Sequence, residues 1–303
     1  MRTVFVGAVE GSRAALAAIC AAGHAPDLVV TLPTDLARRH SDFADLGPIA
    51  AQYDIPVHRT EKSDAPDTHA AIAAISPDII MVIGWSQICG PAFRALAKHG
   101  AIGFHPSALP QLRGRGVIPW TILMGGTQAG ASLFWLDDGV DTGDLAAQRQ
   151  FSIDPEAETA RSLYDKVIDA LQDMLPALLS DLKAGQRPAT AQDDTQASVC
   201  ARRRPSDGLI DWTKPARDIH RLIRAAGPPY PGAFTTTASG ETLVITAAQL
   251  CPRTGYYVGL PGQVQAVTPD LFTVYCGDGA CLDVTEWSGA PPAQHTHLGR
   301  SQL

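Results

Sequence analysis

The run Ile79-Ile80-Met81-Val82-Ile83 constrains the fold more than any other stretch of the chain. Consecutive apolar, mostly β-branched residues that end at Gly84 read as a strand buried on both faces, as in a parallel sheet covered by helices. The sequence before it has the same grammar. Thr3 to Val9 is another such run, and Glu10-Gly11-Ser12 opens an Ala-rich helix to about Ala22 that Gly23 can stop. Leu28 to Leu32 reads as a strand, Leu46 to Tyr53 as a helix, Pro56-Val57-His58 as a short strand and residues 69–75 as a helix. Strands alternating with helices at this spacing predict an α/β class with a doubly wound, mostly parallel sheet. The loop Gly7 to Gly11 lacks the spacing of a dinucleotide-binding turn and has no Walker lysine, so its glycines read as close helix–sheet packing.

Further along, Gly100 precedes a strand that delivers His105, and Ala131 to Leu136 is a strand that delivers a turn around Asp141. Pro155 to Leu182 places Leu163, Val167, Leu171, Leu175 and Leu178 at helical spacing, the pattern of a helix with one face in a core. Ala184 to Ala201 is polar and turn-rich and reads as a linker. Beyond it come a helix from about Ala216 to Ala225, the rigid turn Pro228-Pro229-Tyr230-Pro231-Gly232, and several short strands with Gly-containing breaks that predict a small antiparallel barrel or half-barrel. A chain of 303 residues exceeds what one core usually encloses, so two domains are expected: residues 1–190 as a catalytic α/β domain, and 191–303 as linker plus a smaller β-rich, barrel-like domain.

The formal charge of −7, from 31 acidic against 24 basic residues, offers no broad basic surface and disfavours a nucleic-acid partner. Six cysteines without a CxxC pair fit free thiols of a reducing cytoplasm, with a Cys276–Cys281 disulfide across the turn Gly277-Asp278-Gly279 as the lesser alternative. No apolar run reaches 18 residues, and the N-terminus reads as a strand rather than a signal peptide, so no membrane partner is expected.

The stretch Ala101 to Gln148 concentrates turn residues and charges against apolar runs, which favours a loop-built site over an ordinary surface excursion. It holds His105-Pro106-Ser107, Leu109-Pro110, Arg113-Gly114-Arg115-Gly116 and Asp141-Thr142-Gly143-Asp144. Taken singly, His105 could be a satisfied turn histidine, and Asp141 a turn cap in an acidic loop with Asp137, Asp138 and Asp144. Arg113 and Arg115 could grip a phosphate or carboxylate, or pair with those acids. The spacing of the four acids fits no calcium loop and no histidine pair supports zinc, so no metal is expected.

Together these residues resemble the folate-dependent formyltransferase family, which includes methionyl-tRNA formyltransferase, glycinamide ribonucleotide formyltransferase and the amino-sugar N-formyltransferases. His105, Leu109-Pro110, the Gly-Arg-Gly run and Asp141, which follows the histidine by 141 − 105 = 36 positions, match an Asn-x-His-x-x-x-Leu-Pro pattern with a downstream Asp. Arg202-Arg203-Arg204, Asp207-Gly208, Asp211-Trp212 and Pro228 to Phe234 look like the C-terminal region of the amino-sugar branch. The resemblance implies His105 and Asp141 as catalytic residues. It implies a folate pocket from Ile83, Gly84, Trp85, Ser86, Gln87 and Ile88 with Leu136, Asp137 and Gly139, and substrate contacts from Ser107, Arg113, Arg115 and Tyr230. The expected reaction moves a formyl group from 10-formyltetrahydrofolate, as co-substrate, to a primary amine of a nucleotide-linked amino sugar; a homodimer is compatible with it.

One position departs from the pattern: the family Asn, whose amide helps hold the oxyanion, falls on Gly103. Loss of an oxyanion donor typically costs about 10² to 10³ in turnover. Ser107, Gln87 or a backbone N–H could stand in, the acyl donor could differ, or the chain could bind without transferring. Formylation of methionyl-tRNA and hydrolysis of the formyl-folate complete the alternatives.

Overall fold

A computed structural model describes residues 1–39, 41–253 and 255–299. The chain divides into two compact units, one of residues 1–117, 128–152 and 164–201, the other of 118–127, 153–163 and 202–303.

The first unit begins with β1 (Thr3–Val6), α1 (Glu10–Ala21), β2 (Leu28–Thr31), α2 (Gly47–Gln52), β3 (Val57–Arg59), α3 (Pro66–Ile75), β4 (Ile79–Val82), α4 (Pro91–Arg94) and β5 (Ala101–His105). It continues through β6 (Arg113–Gly114), α5 (Val117–Leu123), β7 (Gln128–Trp135), β8 (Leu145–Ser152), α6 (Ala160–Lys183) and β9 (Val199–Cys200), with parts of α5 and α6 belonging to the second unit. The seven-stranded sheet runs β3-β2-β1-β4-β5-β7-β8. Its first five strands are parallel, while β7 and β8 pair antiparallel. β1, β2 and β4 are buried along their whole length, as their continuous apolar runs require. Phe5, Met81, Ile102 and Leu133 share a core with Leu171, Leu175, Leu178 and Leu179 of α6. That burial keeps α6 helical through Pro176, which lacks the N–H an interior position would use.

Strand order reverses between β1 and β4, where open α/β sheets commonly leave a ligand crevice. Here one serine side chain joins the two strand ends. The Ser12 hydroxyl accepts from the N–H groups of Ala8 and Val9, both at 3.1 Å, and donates to the Ile83 carbonyl at 2.6 Å. A Cβ on Gly7 would lie 2.4 Å from the Ile83 oxygen, and one on Gly84 would lie 2.3 Å from a Val9 methyl. Close helix–sheet packing, expected from the first loop, is what the glycines permit.

The second unit carries α7 (Ala216–Ala226) and a five-stranded antiparallel sheet of β10 (Ala233–Thr236), β11 (Thr242–Leu250), β12 (Val264–Val267), β13 (Phe272–Tyr275) and β14 (Cys281–Ser288), in the order β10-β11-β14-β13-β12. The β-rich expectation thus takes the form of a sheet with β10 and β12 at its edges. Ile219 and Ile223 of α7 pack with Leu243, Ile245, Phe272 and Leu282 in its core. Arg224 is buried with them and donates to the carbonyls of Glu158 and Pro155 at 2.6 and 3.0 Å. All six cysteines are free thiols, Cys276 and Cys281 included. Burial pushes Cys89 up to about 12 and Cys281 up to about 11, so both stay protonated and inert near neutral pH. Among the described residues no helix is long and apolar enough to cross a membrane, and no group of three metal-ligating side chains occurs.

Candidate active site

His105 is the last residue of β5, and Ser132 is its partner across β7. The Ser132 hydroxyl donates to the Ser107 carbonyl at 2.7 Å and accepts from the Leu109 N–H at 3.2 Å; Gln148 adds a 2.7 Å donation to the Leu109 carbonyl. Two polar side chains therefore shape the Pro-rich turn after the histidine through three hydrogen bonds. Leu112 follows in the left-handed region, at φ 58°, and its carbonyl lies 2.7 Å from His105 Nε2. A carbonyl only accepts, so the proton sits on Nε2. His105 Nδ1 then faces Asp141 Oδ2 at 3.5 Å, as a lone pair in the neutral ring or as a second N–H in the imidazolium.

Asp141 reaches this position through a left-handed backbone of its own, φ 57°. Its Oδ2 also accepts the Gly114 N–H at 2.8 Å, so one carboxylate ties the histidine to β6. The side chains of His105 and Asp141 are 5% and 18% exposed, close enough to solvent for a reactant and buried enough for their charges to matter. A carboxylate held beside a histidine can take up a proton from a bound amine.

Gly103 lies two residues before His105 and so on the same face of β5. Its cross-strand partner is Phe134, whose ring covers it. A Cβ on Gly103 would lie 2.6 Å from Leu136 Cδ2 and 2.9 Å from Phe134 Cζ, so apolar carbon fills the space a longer side chain would take. The two side chains considered as substitute donors each make local hydrogen bonds, Ser107 using its one O–H and Gln87 one of its two amide N–H groups. Gln87 donates to the Glu61 carbonyl and accepts from the Ser63 N–H at 2.5 and 3.2 Å, and the Ser107 hydroxyl donates to the Gln111 carbonyl at 2.6 Å.

The remaining expected site residues are distributed as follows. Ile83 is fully buried just after β4, Gly84 turns at φ 67°, Trp85 and Leu136 join one hydrophobic cluster, and Ile88 is 77% exposed. Ser86 is in the same loop. Asp137 accepts from the Gly139 N–H at 3.0 Å and the Thr142 hydroxyl at 2.7 Å, which closes the turn before Asp141. Asp138 pairs with Arg94. Arg113 is buried and turned onto Gln192 and Asp194, the latter at 2.7 Å, whereas Arg115 is exposed. Tyr230 belongs to the second unit.

A model of the formyl transferase domain matches residues 28–179, and one of the formyl transferase C-terminal domain matches residues 203–290. The chain belongs to the formyl transferase family. Both matches lie where the resemblance of the motifs placed them, one around His105 and Asp141 and the other over the β-rich unit.

Solved structures of similar fold agree. An N-formyltransferase from Helicobacter canadensis, in complex with folinic acid and dTDP-3-aminofucose, has a TM-score of 0.64 at 18% identity, covering 94% of this chain and 99% of that one. HypX from Aquifex aeolicus, in complex with tetrahydrofolic acid, has a TM-score of 0.67 at 17% identity over 93% of this chain. This formyl transferase family chain spans 43% of the length of HypX. Phosphoribosylglycinamide formyltransferase from Bacillus halodurans covers 60% of this chain and has a TM-score of 0.52 at 22% identity.

The residues that sequence reasoning passed over are Leu112, Ser132 and Gln192. Their roles lie in backbone groups or in bonds to partners far along the chain, and no local pattern marks them.

Proposed function

We propose that the chain transfers a formyl group from 10-formyltetrahydrofolate to the primary amine of a nucleotide-linked amino sugar. The observation that carries this reading is the His105–Asp141 pair, 3.5 Å apart, inside the segment matched by the family model. The amine nitrogen attacks the formyl carbon, and the carbonyl oxygen becomes an oxyanion beside the His105 ring. Asp141 accepts the proton that the amine loses, the bond from the formyl carbon to N10 of the folate breaks as the oxyanion collapses, and N10 leaves with that proton, returned from Asp141. The products are the N-formyl amine and tetrahydrofolate. The Trp85 indole N–H is buried without a protein partner among the described residues, and a bound heterocycle in the expected folate pocket would satisfy it. Support for a sugar substrate comes from the amino-sugar character of the C-terminal motifs and from the 94% coverage by an N-formyltransferase whose complex holds a nucleotide amino sugar.

The test is incubation with 10-formyltetrahydrofolate and a panel of amino-sugar nucleotides, followed by mass spectrometry. One sugar should gain the mass of a formyl group, and no gain with any amine would overturn the reading. Gly103, walled by Phe134 and Leu136, favours one alternative: a protein that binds folate without transferring it. Calorimetric folate binding with no product in the panel would establish that instead, and formate release without an amine would identify a hydrolase.

A further inference from the structure

The polar stretch Ala184–Ala201 is bonded along its length to the loops that carry His105 and Asp141. The Trp135 indole donates to the Pro188 carbonyl at 2.8 Å, and Thr190 and Leu145 exchange backbone hydrogen bonds at 2.8 and 2.9 Å. Leu112 and Arg113 donate their N–H groups to the Ser198 hydroxyl and carbonyl at 2.9 and 2.8 Å, and β9 pairs in parallel with β6.

Gln192 is in the middle of this strap. Its Nε2 donates to the carbonyls of Asp141 and Gly143 at 2.9 and 2.7 Å. Its Oε1 accepts from Nε and Nη2 of Arg113 at 3.2 and 2.8 Å. A primary amide has two N–H donors and two acceptor sites, so the whole capacity of this side chain is used on two loops. The chemistry at this position is restrictive. A glutamate would still accept from Arg113 but would set a carboxylate against two carbonyl oxygens. A lysine would satisfy the carbonyls but repel the buried guanidinium. Only a neutral amide meets both sides.

We propose that Gln192 is a positioning residue for Asp141. It fixes the carbonyls on both sides of Thr142, including that of Asp141 in its left-handed conformation. Through Arg113 it also fixes β6, whose Gly114 N–H holds the Asp141 carboxylate. The orientation of Asp141 toward His105 Nδ1 is thus set from both the backbone and the carboxylate by one amide. The inference rests on the reading of His105 and Asp141 as the working pair.

The test compares Gln192→Met, nearly isosteric but without these hydrogen bonds, with the wild type. Positioning predicts a kcat lowered about tenfold to a hundredfold, as for displacement of a catalytic group by about 1 Å, while KM for the folate stays within about twofold. It also predicts altered ¹⁵N signals of the His105 ring, assigned with a His105→Gln control, in the folded, ligand-free protein. Gln192→Glu keeps the Arg113 contact and the side-chain size, and gives the same readouts should the methionine variant fail to fold. Unchanged kcat or unchanged ring signals in a folded variant would overturn the proposal. If the wild type formylates no amine, the ring signals still decide the positioning claim, so its failure is separable from failure of the proposed activity.

Discussion

At the scale of single residues, the position that most affects chemistry is Gly103. The family pattern asks for an amide there, and the structure shows Phe134 and Leu136 closing over the glycine. Gly103→Asn should therefore not restore an oxyanion donor. Overpacking of this kind costs about 1–3 kcal/mol, so the variant should melt at lower temperature with kcat no higher than wild type. A rise in kcat of more than about tenfold, equivalent to 1.4 kcal/mol in the barrier, would show that the amide finds its place and that the glycine merely weakens the site. His105 and Asp141 were readable from their motifs one at a time. Their mutual distance was not, because it depends on two left-handed residues, Leu112 and Asp141, and no propensity rule places a leucine there.

At the scale of elements, local pattern was a good guide wherever an apolar period had a buried face to satisfy. The runs at Thr3, Leu28 and Ile79 became β1, β2 and β4, and the leucine stripe of α6 overrode Pro176. What the periods could not reveal is how the elements are joined. Ser12, inside an Ala-rich helix, links the start of α1 to the residue after β4 through three hydrogen bonds. Ser12→Ala leaves two N–H groups and a carbonyl to be satisfied otherwise, at about 1–3 kcal/mol for such a buried group. Chemical denaturation should show that loss with an unchanged m-value, and a loss below about 0.5 kcal/mol, the usual range for surface changes, would contradict the joint. The stretch at 184–201 shows the converse. Its polarity and turn residues gave it the look of a linker, yet those polar groups are partners for carbonyls and a guanidinium of the first unit.

At the scale of the whole molecule, each unit has its own core, and the pH dependence of stability contains a contribution from the second. His220 of α7 is held below its ordinary value of 6.5 chiefly by burial and then by the charge of Arg224; Arg221 acts in the same direction, while a bond to Ala248 and the charge of Glu156 oppose it. The folded ring resists a proton that the unfolded chain accepts. Its contribution is therefore complete above about pH 6.5, the unfolded value, and is lost as the pH falls below it. Thermal melts of His220→Gln should show a shallower decline than wild type between neutral and acidic pH, and parallel declines would remove His220 as the cause.

The sequence by itself determined the alternation of strands and helices and the β-rich second unit. Those features are written in residue period and turn chemistry, which act over a few neighbouring positions. Only the tertiary structure decided that apolar carbon closes over Gly103, that Ser12 joins the ends of β1 and β4, and that Gln192 bonds the Asp141 turn. The physical reason is that a buried amide, hydroxyl or carbonyl takes whichever partner the fold brings within hydrogen-bond reach. For Gln192 and Asp141 those partners stand 192 − 141 = 51 positions apart in the chain.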